Sequence, residues 1–142
     1  MSFQEPEVRV LFPVPFFTVR LDDSEALNLA LLKEVAKRRR NEPGLKRSNH
    51  LGWHSSLDLF ERSEPGHARL SKEIAGIVAA CTAKIDPDFP KDLAPRHEGW
   101  VNVSPSHAMN TPHDHPGAFW SGTYYVQVPR PDKPDDKYSG AI

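Results

Sequence analysis

The sequence predicts an α+β domain, with two amphipathic helices in the earlier part of the chain and a β-patterned region after them. Three observations carry this. Apolar residues recur at helical spacing over 27–35 and again over 70–85. From residue 98 on, "EGWVNVS" and "FWSGTYYVQV" alternate or enrich in aromatic and β-branched residues as strands do. The fourteen prolines cluster between these segments rather than inside them, as in a loop-rich β protein. A chain of 142 residues is long enough for one domain with a core and too short for two, so residues 1–142 read as a single unit.

The elements come in order along the chain. "VRVLFPVPFFTVR" (8–20) has strand composition, but Pro13 and Pro15 limit it to an edge strand or an extended segment. Asp22, with Glu25 three residues on, fits a capping box. Leu27, Leu31 and Val35 then mark a helix that runs to about Arg40 and stops at "NEPG". Residues 45–60 read as a loop followed by a short strand. The second helix carries Leu70, Ile74, Ile77, Val78, Cys81 and Ile85 on one face, with Ser63 as its cap and Pro65 in its first turn. Each helix buries one stripe and needs a partner surface, for which a sheet is the expected answer. "DPDFPKDLAPRH" (86–97) is a linker, 98–104 a strand, 119–128 a stronger strand, and "RPDKPDDK" a polar turn before "YSGAI". That last strand breaks off with an open hydrogen-bonding edge, which predicts a fragment of a longer protein or pairing with a second copy as a homodimer.

Composition excludes several classes of function. Lys+Arg 18 against Asp+Glu 19 gives a formal charge of −1, which suggests neither a nucleic-acid nor a membrane-surface partner. The basic run at 37–40 ends a helix, where cations complement the negative end of the helix dipole. A single cysteine, Cys81, permits no internal disulfide and no paired-cysteine metal knuckle. Its place on an apolar helix face reads as a buried thiol. No apolar run approaches a membrane span and no signal pattern opens the chain, so a cytoplasmic protein is expected. Neither a nucleophile elbow nor a phosphate-binding glycine loop is present.

The chemistry is concentrated in "NTPHDHPGAFWSGTYYV" (110–126). Side chains at i and i+2 of a strand point to one face, roughly 6.6 Å apart along the chain. His113 and His115 can therefore reach one ion, with Asp114 pointing the other way. Imidazole is the commonest side-chain ligand for iron, zinc, copper and nickel. Two ligands are not a site, and a further one must come from elsewhere. His50, His54, His97, His107 and Glu98 are the candidates within the chain, and a local twist would put Asp114 in place of His115. Ser121, Thr123 and Tyr125 share one face of the following strand and Trp120, Tyr124 and Val126 the other. Only one set can face an interior.

The stretch "GWVNVSPSHAMNTPHDHPGAFWSGTYYVQVP" resembles the 2-oxoglutarate- and iron(II)-dependent oxygenases. It carries Trp100 and Asn102, then Asn110, His113, His115 and Pro116, then Ser121, Gly122, Tyr124 and Tyr125 in the spacing of that family. "LFPVPFFTVRLDD" and "SNHLGWHS" (48–55) are similar to the family's N-terminal part, so the likeness extends over nearly the whole chain. It implies a double-stranded β-helix, the cupin-like jelly roll, with the two helices packed on it and the barrel incomplete in this chain. It also implies Fe(II) and the cosubstrate 2-oxoglutarate, whose decarboxylation to succinate is coupled to hydroxylation of a C–H bond in a small molecule or a protein side chain. His113 and His115 then stand as metal ligands, and Asn102, Asn110, Ser121 and Tyr125 as cosubstrate or substrate residues.

The sequence departs from the usual facial triad of two histidines and a carboxylate, because His115 stands where the carboxylate is expected. The distal histidine and the arginine that pairs with 2-oxoglutarate should come after "YSGAI" and are absent; Arg130, in a turn, does not suit that role. Two other readings remain open at this level. One is a metal-binding cupin without redox chemistry, zinc-loaded and acting as a hydrolase or isomerase. The other is a catalytically dead β-domain that serves as a binding module.

Overall fold

A computed structural model describes residues 14–90 and 92–128. The start of the extended N-terminal segment, the polar turn with Arg130 and the "YSGAI" strand lie outside the described residues.

Helix α1 is Ser24–Asn41. Its buried face begins as the sequence predicts, with Leu27 and Leu31 each 2 % exposed, but it ends differently. Val35 is only half-buried, and the stripe is continued by two charged residues, Glu34 and the fully buried Arg38. The expected capping box does not form. The N-cap is Asp23, in the left-handed region at φ 50° and without a side-chain cap bond. Starting one residue late puts Glu25 out of register for the reciprocal bond.

Helix α2 is Pro65–Ile85, with Pro65 in the first turn as predicted. Its N-cap is Glu64 rather than Ser63, and again no side chain of the cap serves the orphan amides. Glu34 of α1 does so instead. Its Oε1 accepts from the Gly66 N–H at 2.8 Å and its Oε2 from the His67 N–H at 3.1 Å. The same Oε2 lies 2.7 Å from Nδ1 of His67, a ring only 1 % exposed. A carboxylate of one helix thus caps the other, at the end where the helix dipole favours negative charge. The approach requires glycine: a Cβ on Gly66 would meet Glu34 Oε2 at 2.7 Å.

Leu27 and Leu31 meet Leu70 between the helices, flanked by Leu21, Ile74, Tyr124 and Val126. Each fully buried leucine contributes about 2 kcal/mol by area removed from water. Cys81 is buried and free, as expected.

The basic run ends α1 as expected, and Arg38 within it is also buried and paired. Its Nε donates to Glu42 at 2.8 Å, and one terminal nitrogen donates to Ser56 Oγ and Asp58 Oδ1, both at 2.6 Å. Arg62 joins from the far side, 3.1 Å from Asp58 Oδ2. Burial raises the Asp58 pKa, but the hydrogen bond and charge of Arg38, a backbone bond and the Ser56 hydroxyl outweigh it and leave the carboxyl below its ordinary 3.8. Glu64 is also lowered, chiefly by the hydrogen bond from Arg62.

The described strands are short. β1 (Asn49–His50) pairs antiparallel with β4 (Met109–Asn110), and β2 (Trp53–His54) with β3 (Asn102–Val103). Both belong to one run of contacts between 45–59 and 99–111. Ser55 N–H donates to Val101 O at 3.0 Å and Leu59 N–H to Gly99 O at 3.1 Å. The run is interrupted where Leu51 and Gly52 face residues 104–108. Leu51 (φ 59°) and His107 (φ 68°) sit in the left-handed region on either side of that break. Trp53 anchors the run to the end of α1, its indole N–H donating to Glu42 O at 3.1 Å. Gly44, at φ +79°, leaves room for that ring, which a Cβ would meet at 2.6 Å.

The α+β class stands, while the described strands form two separate pairs and neither closes into a barrel. Residues 119–128 form no strand, contrary to expectation, because no described strand lies alongside to pair with them. The segment keeps its alternation nonetheless. Trp120 donates to Thr82 Oγ1 at 2.8 Å and Tyr124 to Asn28 Oδ1 at 2.7 Å, so the even-numbered face lies on the helices. Ser121, Thr123 and Tyr125 are exposed.

Two outcomes test this account. Glu34→Ala should cost about 2 kcal/mol, a cap plus a charged hydrogen bond. Gly66→Ala should destabilise the wild type yet be neutral or mildly stabilising in Glu34→Ala. Urea unfolding of the four proteins should give a coupling of at least about 1 kcal/mol, and additivity would refute the cap. The second outcome concerns acid. The unfolded chain binds a proton at Asp58 more readily than the folded one, so its contribution is present above the ordinary carboxylate pKa and lost as pH falls through the lower folded value. Asp58→Asn should cost about 2 kcal/mol near neutrality and flatten the loss of stability as pH falls through and below the ordinary carboxylate range, as read from Tm against pH.

Candidate metal centre

The histidine pair is placed by the end of the β1–β4 contact. Asn49 faces Asn110, and one step further the Thr111 N–H donates to Ser48 O at 2.9 Å, with its hydroxyl 3.3 Å from the same oxygen. Pro112 then ends the ladder, since it has no N–H to give. Residues 113–115 are therefore not in a strand, which corrects the expected geometry. Prolines on both sides deny the segment the paired backbone a strand needs.

The two rings come together all the same. Their centroids are 4.9 Å apart at 73°, edge to face. His113 Nδ1 lies 2.8 Å from the Thr111 carbonyl. A carbonyl can only accept, so Nδ1 carries the hydrogen, and in the neutral ring Nε2 is left with its lone pair free for a metal. His115 is held by packing. Its ring lies against Trp100 at 5.6 Å and 36°, and Trp100 stacks on His54 at 5.3 Å and 15°. His54 is 3 % exposed, with Nδ1 2.6 Å from the Ser55 carbonyl. Beyond the pair, Ala118 N–H donates to His115 O at 3.1 Å. Gly117 at φ +80°, after Pro116, matches a type II turn.

Both rings of the pair and Asp114 are exposed, so the centre opens to solvent in the described residues. Among them, no group of three or more His, Cys, Asp or Glu side chains converges on a metal position. The candidates for a third ligand lie elsewhere. His54 is a structural ring behind Trp100, His97 packs on Phe60 at 5.0 Å, and His107 sits exposed in a turn closed by Ala108 N–H to Pro105 O at 3.0 Å. His50 is exposed on β1, and Glu98 is exposed.

Asn102 faces His54 across the β2–β3 pair, and Asn110 precedes His113 on β4. Both are exposed, as are Ser121 and Tyr125 on the outer face of the following segment. Two contributors to the centre escaped sequence reasoning: the Thr111 carbonyl and the Trp100 ring. Trp100 sits in the family-like motif, but nothing in the spacing says that it touches His115.

A family model described as "Putative 2OG-Fe(II) oxygenase" matches residues 98–140. Over these residues the chain is similar to the 2OG-Fe(II) oxygenases. The match spans Trp100, both histidines and the turn, and continues past the described residues. No characterised protein and no solved structure matches the chain. That likeness implies iron(II) and 2-oxoglutarate. The donors present fit that ion in kind: two adjacent imidazoles, one with its tautomer set by a backbone carbonyl. No described helix is long and apolar enough to cross a membrane.

The turn offers a local test. A Cβ on Gly117 meets nothing within 4 Å, so only backbone strain opposes substitution. Gly117→Ala should cost about 1 kcal/mol, and Gly117→Asn less, because asparagine tolerates the left-handed region. Equal denaturation midpoints for all three proteins would show that the turn is not formed.

Proposed function

We propose that the chain is an iron(II)- and 2-oxoglutarate-dependent oxygenase that hydroxylates a small molecule or a protein side chain. The observation that carries this reading is the edge-to-face contact of His113 and His115 inside the segment that matches the oxygenase family. In it His113 and His115 are two ligands of the iron, His113 through Nε2. The ring contact favours His115 over Asp114 for the second position.

The iron, when bound, supplies oxygen activation coupled to the decarboxylation of 2-oxoglutarate. The chain's own residues do the rest. Thr111 fixes the His113 tautomer, and the Pro116–Gly117 turn sends the chain from the ligands back to the helices. There Trp120 and Tyr124 hold it, which leaves Ser121 and Tyr125 facing away from the helices. In this reading that outer face, with Asn102 and Asn110, forms part of the cosubstrate or substrate pocket, within a cupin-like barrel that needs further strands. The ligand set is likewise completed from outside the described residues.

The test is an anaerobic titration of the 142-residue chain with iron(II) and 2-oxoglutarate, tracking the visible charge-transfer band of the chelated cosubstrate. Iron(II) should bind, and the band should appear where the remaining ligands and strands complete the site. His113→Ala and His115→Ala should each abolish it and weaken iron(II) binding by more than about 100-fold, beyond the cost of losing a supporting contact. Both should leave the circular dichroism unchanged, because the two side chains are exposed. Wild-type iron affinity in both variants would refute the assignment.

A further inference from the structure

We propose that Trp100 is a positioning residue for the histidine pair, fixing the His115 ring toward His113 from a platform built on the buried His54. The inference rests on the iron reading above and adds a residue that acts through His115.

The two candidate ligands are held in different ways. His113 is pinned by a hydrogen bond to the Thr111 carbonyl, which sets both its rotation and its tautomer. Among the described residues no hydrogen bond holds the His115 ring, and its neighbours are aromatic: His113 on one side and Trp100 on the other. An exposed imidazole with nothing against it samples its rotamers freely, and ordering it on binding an ion costs affinity. A large planar ring removes that freedom in advance.

Trp100 can do this because it is itself fixed. Its backbone lies between Gly99, whose carbonyl accepts from Leu59 N–H, and Val101, whose N–H donates to Ser55 Oγ at 2.9 Å. Its ring lies nearly parallel to that of His54, which is buried and held by the Ser55 carbonyl. Ser55 thus serves both layers, and it is fully buried. The ring order His54, Trp100, His115, His113 runs from the interior to the surface. Tryptophan supplies area and rigidity with two side-chain torsions, which suits a platform better than a flexible apolar residue.

The experiment uses cobalt(II) as the probe, a paramagnetic ion that quenches nearby indole emission, on the intact chain. Calorimetry gives its affinity and tryptophan fluorescence its proximity. Wild-type emission should fall on titration. Trp100→Phe keeps a flat ring and should bind within about threefold of wild type, with the quenching reduced by the share that Trp100 contributes beside Trp53 and Trp120. Trp100→Leu fills space without a plane and should bind about tenfold more weakly, the loss typical of a residue supporting a ligand. Unfolding midpoints identify any variant that has failed to fold. A folded Trp100→Leu with wild-type affinity would overturn the positioning role and leave the iron reading intact. Trp100→Phe as weak as Trp100→Leu would also overturn it, since a flat ring would then not suffice. Failure of the wild type to bind cobalt(II) would overturn the iron reading, and the positioning role with it.

Discussion

The Glu34 carboxylate is the contact on which the arrangement of the helices depends. It takes two amides and a ring nitrogen from the first turn of α2, where the helix's own N-cap side chain makes no bond. One turn further along α1, Arg38 reaches Ser56 and Asp58 at the start of the segment that carries the second half of the chain. The buried stripe of α1 is therefore greasy at one end and ionic at the other. Leu27 and Leu31 supply free energy without direction, while Glu34 and Arg38 supply direction. Burying Arg38 has a cost, because one of its terminal nitrogens is enclosed without a partner among the described residues. Its return is a fixed relation between α1 and residues 53–59, and through them residues 99–103.

Sequence reasoning reached what local patterning encodes. Leu27 and Leu31, the α2 face from Leu70 to Cys81, and Pro65 at the helix start all come from period and end signals, although Ile85, predicted on that face, is exposed at the helix end. The failures share one physical origin. Glu34 and Gly66 are 32 positions apart, and no spacing rule connects a carboxylate on one helix to a glycine on the next. The basic run read correctly as the positive end of α1, but nothing in its spacing says that Arg38 alone turns inward to Ser56 and Asp58. Residues 119–128 have strand alternation, and the alternation is real, but it sorts Trp120 and Tyr124 onto helices rather than into a ladder. At the candidate centre, HxH spacing predicted that the two rings would meet. That one would be set by a backbone carbonyl and the other by an indole could not be read from it.

The interruption between the two strand pairs bears on the same centre. Leu51 and His107 hold left-handed backbone angles that cost non-glycine residues about 1–2 kcal/mol each. Such breaks bend a strand and re-aim the residues beyond them. Beyond this break lie β4, Thr111 and the histidines. The platform under His115 comes from the side of the break that carries β2 and β3, and the carbonyl that orients His113 from the side that carries β1 and β4. The pair therefore draws one support from each side of a kink, and its geometry depends on the kink being maintained.

Thr111 meets Ser48 across 63 positions of chain, and that separation sets an order of events at the ribosome. A nascent chain can close the α1–α2 contact early, from neighbouring segments. The histidines gain their supports only after residues 99–111 have emerged and folded back over a stretch already made, a closure that is slow relative to helix pairing. Any ion that uses both rings must then arrive after translation of the segment, onto a scaffold whose helices are already in place. Maturation of the centre is thereby separated from its synthesis.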